Sequence, residues 1–323
     1  MEQSNIPILF QDHHLLVVNK PAGLVVHPTY KHSAGTLWDM LLEDLARQGS
    51  DGWSAPDLPD EPGWERAPEG VRLMLREKRL AKYQREEGWL DRPVLLHRLD
   101  KDTSGALALA RTGLACRHLA RQFSAHTIVK TYLAVVRHAA PAWARPRAPF
   151  TITLLHPSDK RDVPGQACSM SGTNLGQSLD LASYQNATLL LDGPLQRDTD
   201  DRRRCVVGPA GQEARTRARV LAAWDEYALV EVQPITGRTH QIRAHLAAAG
   251  YALVGDTTYA PPAAPGSPAA ALPRQFLHAC SLTVRAYPSN RPRTFVAPLA
   301  EDLADWLRLY ASVDWEQRVR ISP

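Results

Sequence analysis

The sequence predicts an α+β fold built on a largely antiparallel sheet. Short apolar runs bounded by turn residues recur along the chain, a few segments of helical period lie among them, and no internal repeat is present. With 323 residues, 44% hydrophobic and 22% charged, the chain can bury a full core without metal or disulfide staples. We read 1–323 as one domain with insertions at about 47–92 and 138–187.

The elements follow in order. Ile8–Phe10 and Leu15–Val18 read as strands, Lys20-Pro21-Ala22-Gly23 as a turn and Leu24–Val26 as a further strand. Thr36 is placed to cap a helix carrying Leu37, Leu41 and Leu45. Residues 47–92 are rich in Pro, Gly and charge and read as an irregular, partly helical insertion. Val94–Leu99 and Ala106–Ala110 are strands flanking the turn DKDTSG, and Gly113–Ala125 is a helix with Ala115, Leu119 and Phe123 on one face. Ile128–Val136 is a strand, and 138–187 a long surface excursion. Alternation returns at Arg215–Val220 and Ala228–Val232. Thr239–Ala249 is a helix closed by Gly250, a residue that accepts positive φ at C′. Ala260–Pro273 is a Pro/Ala linker, and Leu299–Tyr310 a helix with Leu299, Leu303, Trp306 and Tyr310 on one side.

Composition excludes several classes. No apolar run approaches the ~18 residues of a membrane span. MEQSNIPILFQDHH lacks the basic start and apolar run of a secretory signal. Cys116, Cys168, Cys205 and Cys280 form no CxxC pair, which argues against a zinc site or disulfide framework and fits a reducing cytoplasm. The net charge of +4 and pI ≈ 8.9 are compatible with a polyanionic partner, so the placement of the arginines matters more than their number.

Four segments could carry chemistry. In His97-Arg98-Leu99-Asp100-Lys101-Asp102-Thr103-Ser104-Gly105, an extended backbone would put Arg98 and Asp100 on one face, a cation beside a carboxylate; the bland alternative is a hairpin turn. In Thr236-Gly237-Arg238-Thr239-His240-Gln241-Ile242-Arg243-Ala244-His245, Ile242 joins the apolar stripe of a helix while His240 and Arg243 share another face. His240 and His245 are five apart, the wrong spacing for a metal pair. Tyr132 lies on the strand KTYLAVV, where a core role is the plain alternative. Arg215, Arg217 and Arg219 alternate along a strand beside the cluster Arg202–Arg204, giving a cationic strip suited to phosphates or a charged, protected edge.

LLVVNKPAGLVVHP, HRLDKDTSG, KTYLAVV, TGRTHQIRAH, VGDTTY and FLHA, in this order over residues 15–279, resemble the signature segments of RluA-type pseudouridine synthases. The resemblance implies a pseudouridine synthase fold, a mixed, mainly antiparallel sheet with flanking helices and an RNA-binding cleft. It further implies isomerisation of uridine in structured RNA, ribosomal or transfer, by a cytoplasmic monomer that uses no metal or organic cofactor. By position it makes Asp100 the nucleophile and Arg98 the residue that fills the stack when the base leaves. Tyr132 becomes the active-site tyrosine and a candidate base, with water as the alternative. Arg243 becomes the cation paired with the aspartate, Ile242 its apolar companion, and His97, Arg238 and His240 are grouped with the RNA-binding residues. The chain departs from the family pattern in starting directly at the catalytic domain, with no S4-type RNA-binding module in front. His126 stands where arginine is common, and Tyr287-Pro288 where His-Pro is frequent.

Two other readings compete. Asp100-Lys101-Asp102-Thr103 matches the DxDxT pattern of haloacid-dehalogenase-like phosphohydrolases, although His97 and Arg98 interrupt the apolar strand that chemistry needs. A non-catalytic RNA-binding protein could also share the scaffold, but it would have no chemical need for Asp100, Tyr132 and Arg243 together.

Overall fold

The structure, a computed structural model, describes residues 6–28, 34–47, 60, 63–87, 89–138, 140–155, 172–174 and 180–319. Its strands are β1 (Ile8–Gln11), β2 (Leu15–Lys20), β3 (Trp89–Leu95), β4 (Ser104–Thr112), β5 (Val129–Arg137), β6 (Thr151–Leu155), β7 (Gly172–Asn174), β8 (Thr188–Asp192), β9 (Leu195–Arg197), β10 (Cys205–Val207), β11 (Arg215–Trp224), β12 (Tyr227–Pro234), β13 (Ala252–Leu253), β14 (Leu277–Arg285) and β15 (Pro292–Val296). The helices are α1 (Leu37–Arg47), α2 (Glu69–Glu87), α3 (Gly113–Ser124), α4 (Gln241–Ala248), α5 (Glu301–Tyr310) and α6 (Trp315–Arg318). Among the described residues no helix is long and apolar enough to cross a membrane.

One sheet runs β1-β2-β4-β14-β5-β12-β11-β8-β6-β7, with β3 also on β4, β13 on β5 and β15 on β14; β9 and β10 form a separate hairpin. β14 joins β4 in parallel through His278 and Ala279, while β14 and β5, β5 and β12, and β12 and β11 are antiparallel. The parallel join is tight. Gly105 sits at φ 119°, and a Cβ there would overlap the Ala279 carbonyl, so only glycine lets the two strands meet. Strand alternation then sorts the core into two faces. Leu16, Leu107, Leu109, Ala134 and Val230 pack with Leu37 and Leu41 of α1 and Ile242 and Leu246 of α4. On the reverse, Leu119 of α3 meets Val17, Ala108 and Leu282, and Leu303, Trp306 and Leu307 of α5 meet Leu133, Val135 and Leu229.

Local chemistry explains the boundaries. Thr36 and Asp39 form a reciprocal cap: Oδ2 of Asp39 accepts from Thr36 N–H at 3.0 Å, and Thr36 Oγ1 accepts from Asp39 N–H at 3.4 Å. Thr112 caps α3 through the Ala115 N–H. Gly250 follows α4 at φ 92°, as its position after the helical stripe implies.

Several expectations need correction. Leu24–Val26 is not a strand; the Val25 and Val26 carbonyls accept the N–H groups of Leu37 and Trp38, so this stretch leads into α1. β3 starts earlier and stops at Leu95, because the imidazole of His97 accepts the Ala108 N–H at 3.0 Å and replaces the next rung of the ladder. The insertion 47–92 contains a 19-residue helix, α2; residues 48–59, 61–62 and 88 lie outside the described set. The excursion 138–187 is more than surface. It supplies β6 to the sheet and buries Phe150, Ile152, Leu155 and Leu181, while 139, 156–171 and 175–179 are not described. β14 and β15, which the sequence reading passed over, are respectively a central strand and its hairpin partner.

Candidate active site

Asp100 lies past the end of β3, where the chain turns into β4. Its Oδ2 accepts from Arg243 Nη1 at 3.2 Å, and His240 Nε2 stands 3.9 Å from the same oxygen. Arg243 comes from the first turn of α4 and is 7% exposed, so the partner of a partly exposed carboxylate is itself buried. Asp256 holds it from behind. Oδ2 and Oδ1 of Asp256 accept from Arg243 Nε and Nη2 at 2.7 and 2.8 Å, a planar fork that fixes the guanidinium. Burial works against the Arg243 charge, but the hydrogen bonds to Asp256 and the charges of Asp256 and Asp100 outweigh it, and its pKa stands above the usual value. Asp256 is fixed in turn by the N–H groups of Thr258 and Tyr259.

The Tyr259 hydroxyl extends this network. It donates to the Cys205 carbonyl at 3.1 Å, accepts from the Cys205 N–H at 2.6 Å and lies 3.3 Å from His240 Nδ1. His240 precedes α4 at φ 53°, a conformation that turns its ring between Tyr259 and Asp100. Burial depresses the His240 pKa, with the nearby Asp100 charge opposing it. At the helix start, Gln241 Oε1 accepts from Arg238 N–H and Thr236 Oγ1 at 2.9 and 2.7 Å, tying the TGRTHQ segment down.

Lys20 secures the Asp100 turn from below. Fully buried, its Nζ donates to the carbonyls of Pro21, Leu24 and Lys101, each at 2.8 Å. Three acceptors use all three ammonium protons. Burial pulls its pKa down to about 7, against the opposing charges of Asp102 and Asp100.

Asp100, Tyr132, Ile242, Arg243, Arg98, His97, Arg238 and His240 line one cleft. Within it Arg98 is exposed at the mouth, while Ile242 and Tyr132 form its apolar wall. Burial, then the Asp100 charge, push the Tyr132 phenol above its ordinary value. Forming a phenolate there costs more than in water. His97 has a structural bond to Ala108 and stacks on Phe123 at 5.0 Å, so it shapes the wall. Arg215, Arg217 and Arg219 are not brought here. Thr216 and Ala218 face α4, so alternation turns the three arginines to the opposite side of β11, where Arg215 pairs with Asp192 and Glu213.

Sequence reasoning missed Lys20, Lys130, Asp256 and Tyr259 as site residues. All four lie in signature segments, but nothing in their local spacing ties them to Asp100. Lys130, two residues before Tyr132, shares its face and lines the cleft, and burial lowers its pKa to about 8. His126, standing where arginine is common, also lines the cleft.

Residues 14–248 match the RNA pseudouridylate synthase family. The chain belongs to that family. It is 35% identical over 290 residues to an uncharacterized RNA pseudouridine synthase of Chloroflexus aurantiacus, covering 90% of this chain and 65% of the relative. It is 30% identical over 306 residues to the ribosomal large subunit pseudouridine synthase D of Nitrosomonas europaea, covering 94% of this chain and 64% of that protein. The chain thus spans just under two thirds of the length of these relatives. Human RNA pseudouridylate synthase domain containing 4 superposes with a TM-score of 0.52 at 22% identity, over 94% of this chain and 92% of that one. That likeness shows the fold: this family member has the mixed, mainly antiparallel sheet with flanking helices of a pseudouridine synthase.

Proposed function

We propose that this pseudouridylate synthase family member converts uridine to pseudouridine in structured RNA, ribosomal or transfer, with Asp100 as the covalent catalyst. The observation that carries the reading is the Asp100–Arg243–Asp256 array at the head of an apolar-walled cleft. It is supported by the family match and by relatives named ribosomal large subunit pseudouridine synthase D.

The reaction exchanges the N1–C1′ bond of uridine for a C5–C1′ bond, moving one proton from C5 to solvent while N1 takes one up. A stacked base is out of reach, so the nucleotide flips out, at a cost of a few kcal/mol. Stacking on an aromatic ring, worth ~1–3 kcal/mol per base, offsets much of it, and Tyr132 with Ile242 supplies that surface. Arg98, exposed at the mouth, is placed to fill the gap left in the stack. The Asp100 carboxylate either bonds to C1′ as the N1–C1′ bond breaks or adds to the uracil ring, and in both routes that bond breaks again by the time C5 is joined to C1′; the single Arg243 bond orients the carboxylate and leaves its other oxygen available. The C5 proton leaves to a base in the cleft, Tyr132 or a water.

A haloacid-dehalogenase-like reading loses its structural basis. β3 and β4 are antiparallel, and Lys101 and Asp102 fall in the turn between them, not after the end of a parallel strand. The Asp100→Asn variant is expected to bind RNA as the parent does and to form no pseudouridine. Pseudouridine mapping of cellular RNA with and without the protein identifies the target, and an active Asp100→Asn variant would exclude this mechanism.

A further inference from the structure

The β9–β10 hairpin lies outside the main sheet yet is fastened to the active site. Leu195, Cys205 and Val207 bury themselves in the core on the α4 side. Both polar groups of the Cys205 peptide bond the Tyr259 hydroxyl, and Tyr259 is held by Asp256, which grips Arg243 beside Asp100. A continuous set of hydrogen bonds therefore connects the hairpin to the carboxylate.

The turn of this hairpin, Asp198–Arg204, is stiffened by its own charges. Asp198, 1% exposed, accepts from Arg204 Nε at 2.6 Å, from Arg147 Nη1 at 3.2 Å and from the Asp200 N–H at 3.3 Å. The Arg204 guanidinium lies over the Trp143 ring, 3.6 Å from its centroid. Arg203 forks onto Asp201 at 2.7–3.2 Å. Of the basic cluster Arg202–Arg204, two members are thus committed to holding the turn.

Arg197 is different. It is exposed, its guanidinium donates to the neutral Arg202 carbonyl at 3.1 Å, and it takes part in no ion pair among the described residues. It lines a pocket adjoining the cleft, together with Lys101 and with Asp100, Arg98 and Arg238, which the two share. A rigid arm that neutralises its inner charges and leaves one cation at the edge of a cleft has the form of an anion subsite. The ligand class follows from the cleft: a phosphodiester of the RNA strand whose uridine enters beside Tyr132.

We propose that the β9–β10 hairpin is a preorganised RNA-backbone clamp, with Arg197 binding a phosphate next to the flipped nucleotide. The proposal rests on the reading that the cleft takes RNA. Because the hairpin and Asp100 belong to one hydrogen-bonded frame, the phosphate contact would set the register of the nucleotide relative to the carboxylate.

The test measures binding of a labelled RNA stem-loop with a uridine-rich loop across a range of salt concentrations, using the full chain. Arg197→Ala is expected to weaken binding severalfold and to flatten the slope of log K against log salt by about 0.7–0.9, the loss of one phosphate contact. Arg197→Lys should restore most of the slope. Arg308→Ala, a control of equal charge change on α5, whose arginine pairs with Glu301 and Asp305, should match the parent. A parental slope in Arg197→Ala, or an equal loss in Arg308→Ala, overturns the clamp. Pseudouridine formation by the parent protein on cellular RNA is assayed alongside. If none forms while Arg197→Ala still flattens the slope, the catalytic reading fails and the clamp stands; if it forms and the slope is unchanged, the clamp fails alone.

Discussion

At the residue scale, the arrangement around Asp100 depends on a division of labour between two carboxylates. Asp256 is buried and takes two guanidinium bonds of Arg243, whereas Asp100 is partly exposed and takes one. The buried member orients the cation, and the exposed member is left free to react. Removing half of this fork should therefore damage the chemical step more than RNA binding. Asp256→Asn keeps the shape but removes the charge, and we expect a fall in single-turnover rate of about 10- to 100-fold, as for a small misplacement of a reacting group. The RNA dissociation constant should change little. An equal loss in both quantities would mean that Asp256 only stabilises the fold.

At the element scale, the turn bearing Asp100 is held by groups from three directions: Lys20 from β2, Arg243 from α4 and the β4–β14 join at Gly105. Lys20→Met removes three hydrogen bonds to part-buried carbonyls and takes away their partner. The expected cost is about 2–5 kcal/mol, read from urea unfolding, together with lost activity. A fully stable and active Lys20→Met protein would show that the turn holds itself. Gly105→Ala forces a Cβ into the Ala279 carbonyl from a left-handed φ, so it should reduce soluble yield or lower the melting midpoint by several degrees. The sequence indicated this turn through its Asp, Ser and Gly content. It did not indicate that glycine is required by a strand 174 residues away, because a close backbone approach has no local periodicity.

At the scale of the whole molecule, several histidines are buried in neutral form. His245 donates from Nε2 to the Gly193 carbonyl and accepts at Nδ1 from Thr216, and burial lowers its pKa to about 4. His278 donates to the Ala297 carbonyl and accepts from Ser104, with its pKa lowered to about 4 by burial. His97 is lowered to about 3, again chiefly by burial. Their folded pKa values lie below the ordinary 6.5, so on acidification the unfolded chain takes up protons first. The stability they permit is complete above about pH 6.5 and is lost as pH falls towards 4. We expect the melting midpoint to drop steeply between pH 6.5 and 4. A flat midpoint over that lower range would contradict the neutral assignment.

Sequence alone determined the α+β class, α1, α3, α4 and α5, most central strands, and the segments bearing Asp100, Tyr132 and Arg243. These rest on local causes: apolar period, turn residues, caps and signature segments. Tertiary structure decided the rest. Apolar alternation could not say which side of β11 faces α4, so the strip Arg215, Arg217 and Arg219 read equally as a site or a charged edge, and it lies on the side of the sheet away from α4. Charge content could not separate Arg197 from Arg203 and Arg204, because which arginine keeps an ion pair depends on how the hairpin turns. Asp256 and Lys20 stood in the sequence 156 and 80 positions from Asp100, and only the folded chain brings them to its two sides. The periodicity of a strand or helix reports which residues share a face; the partner that face meets is a property of the assembled sheet.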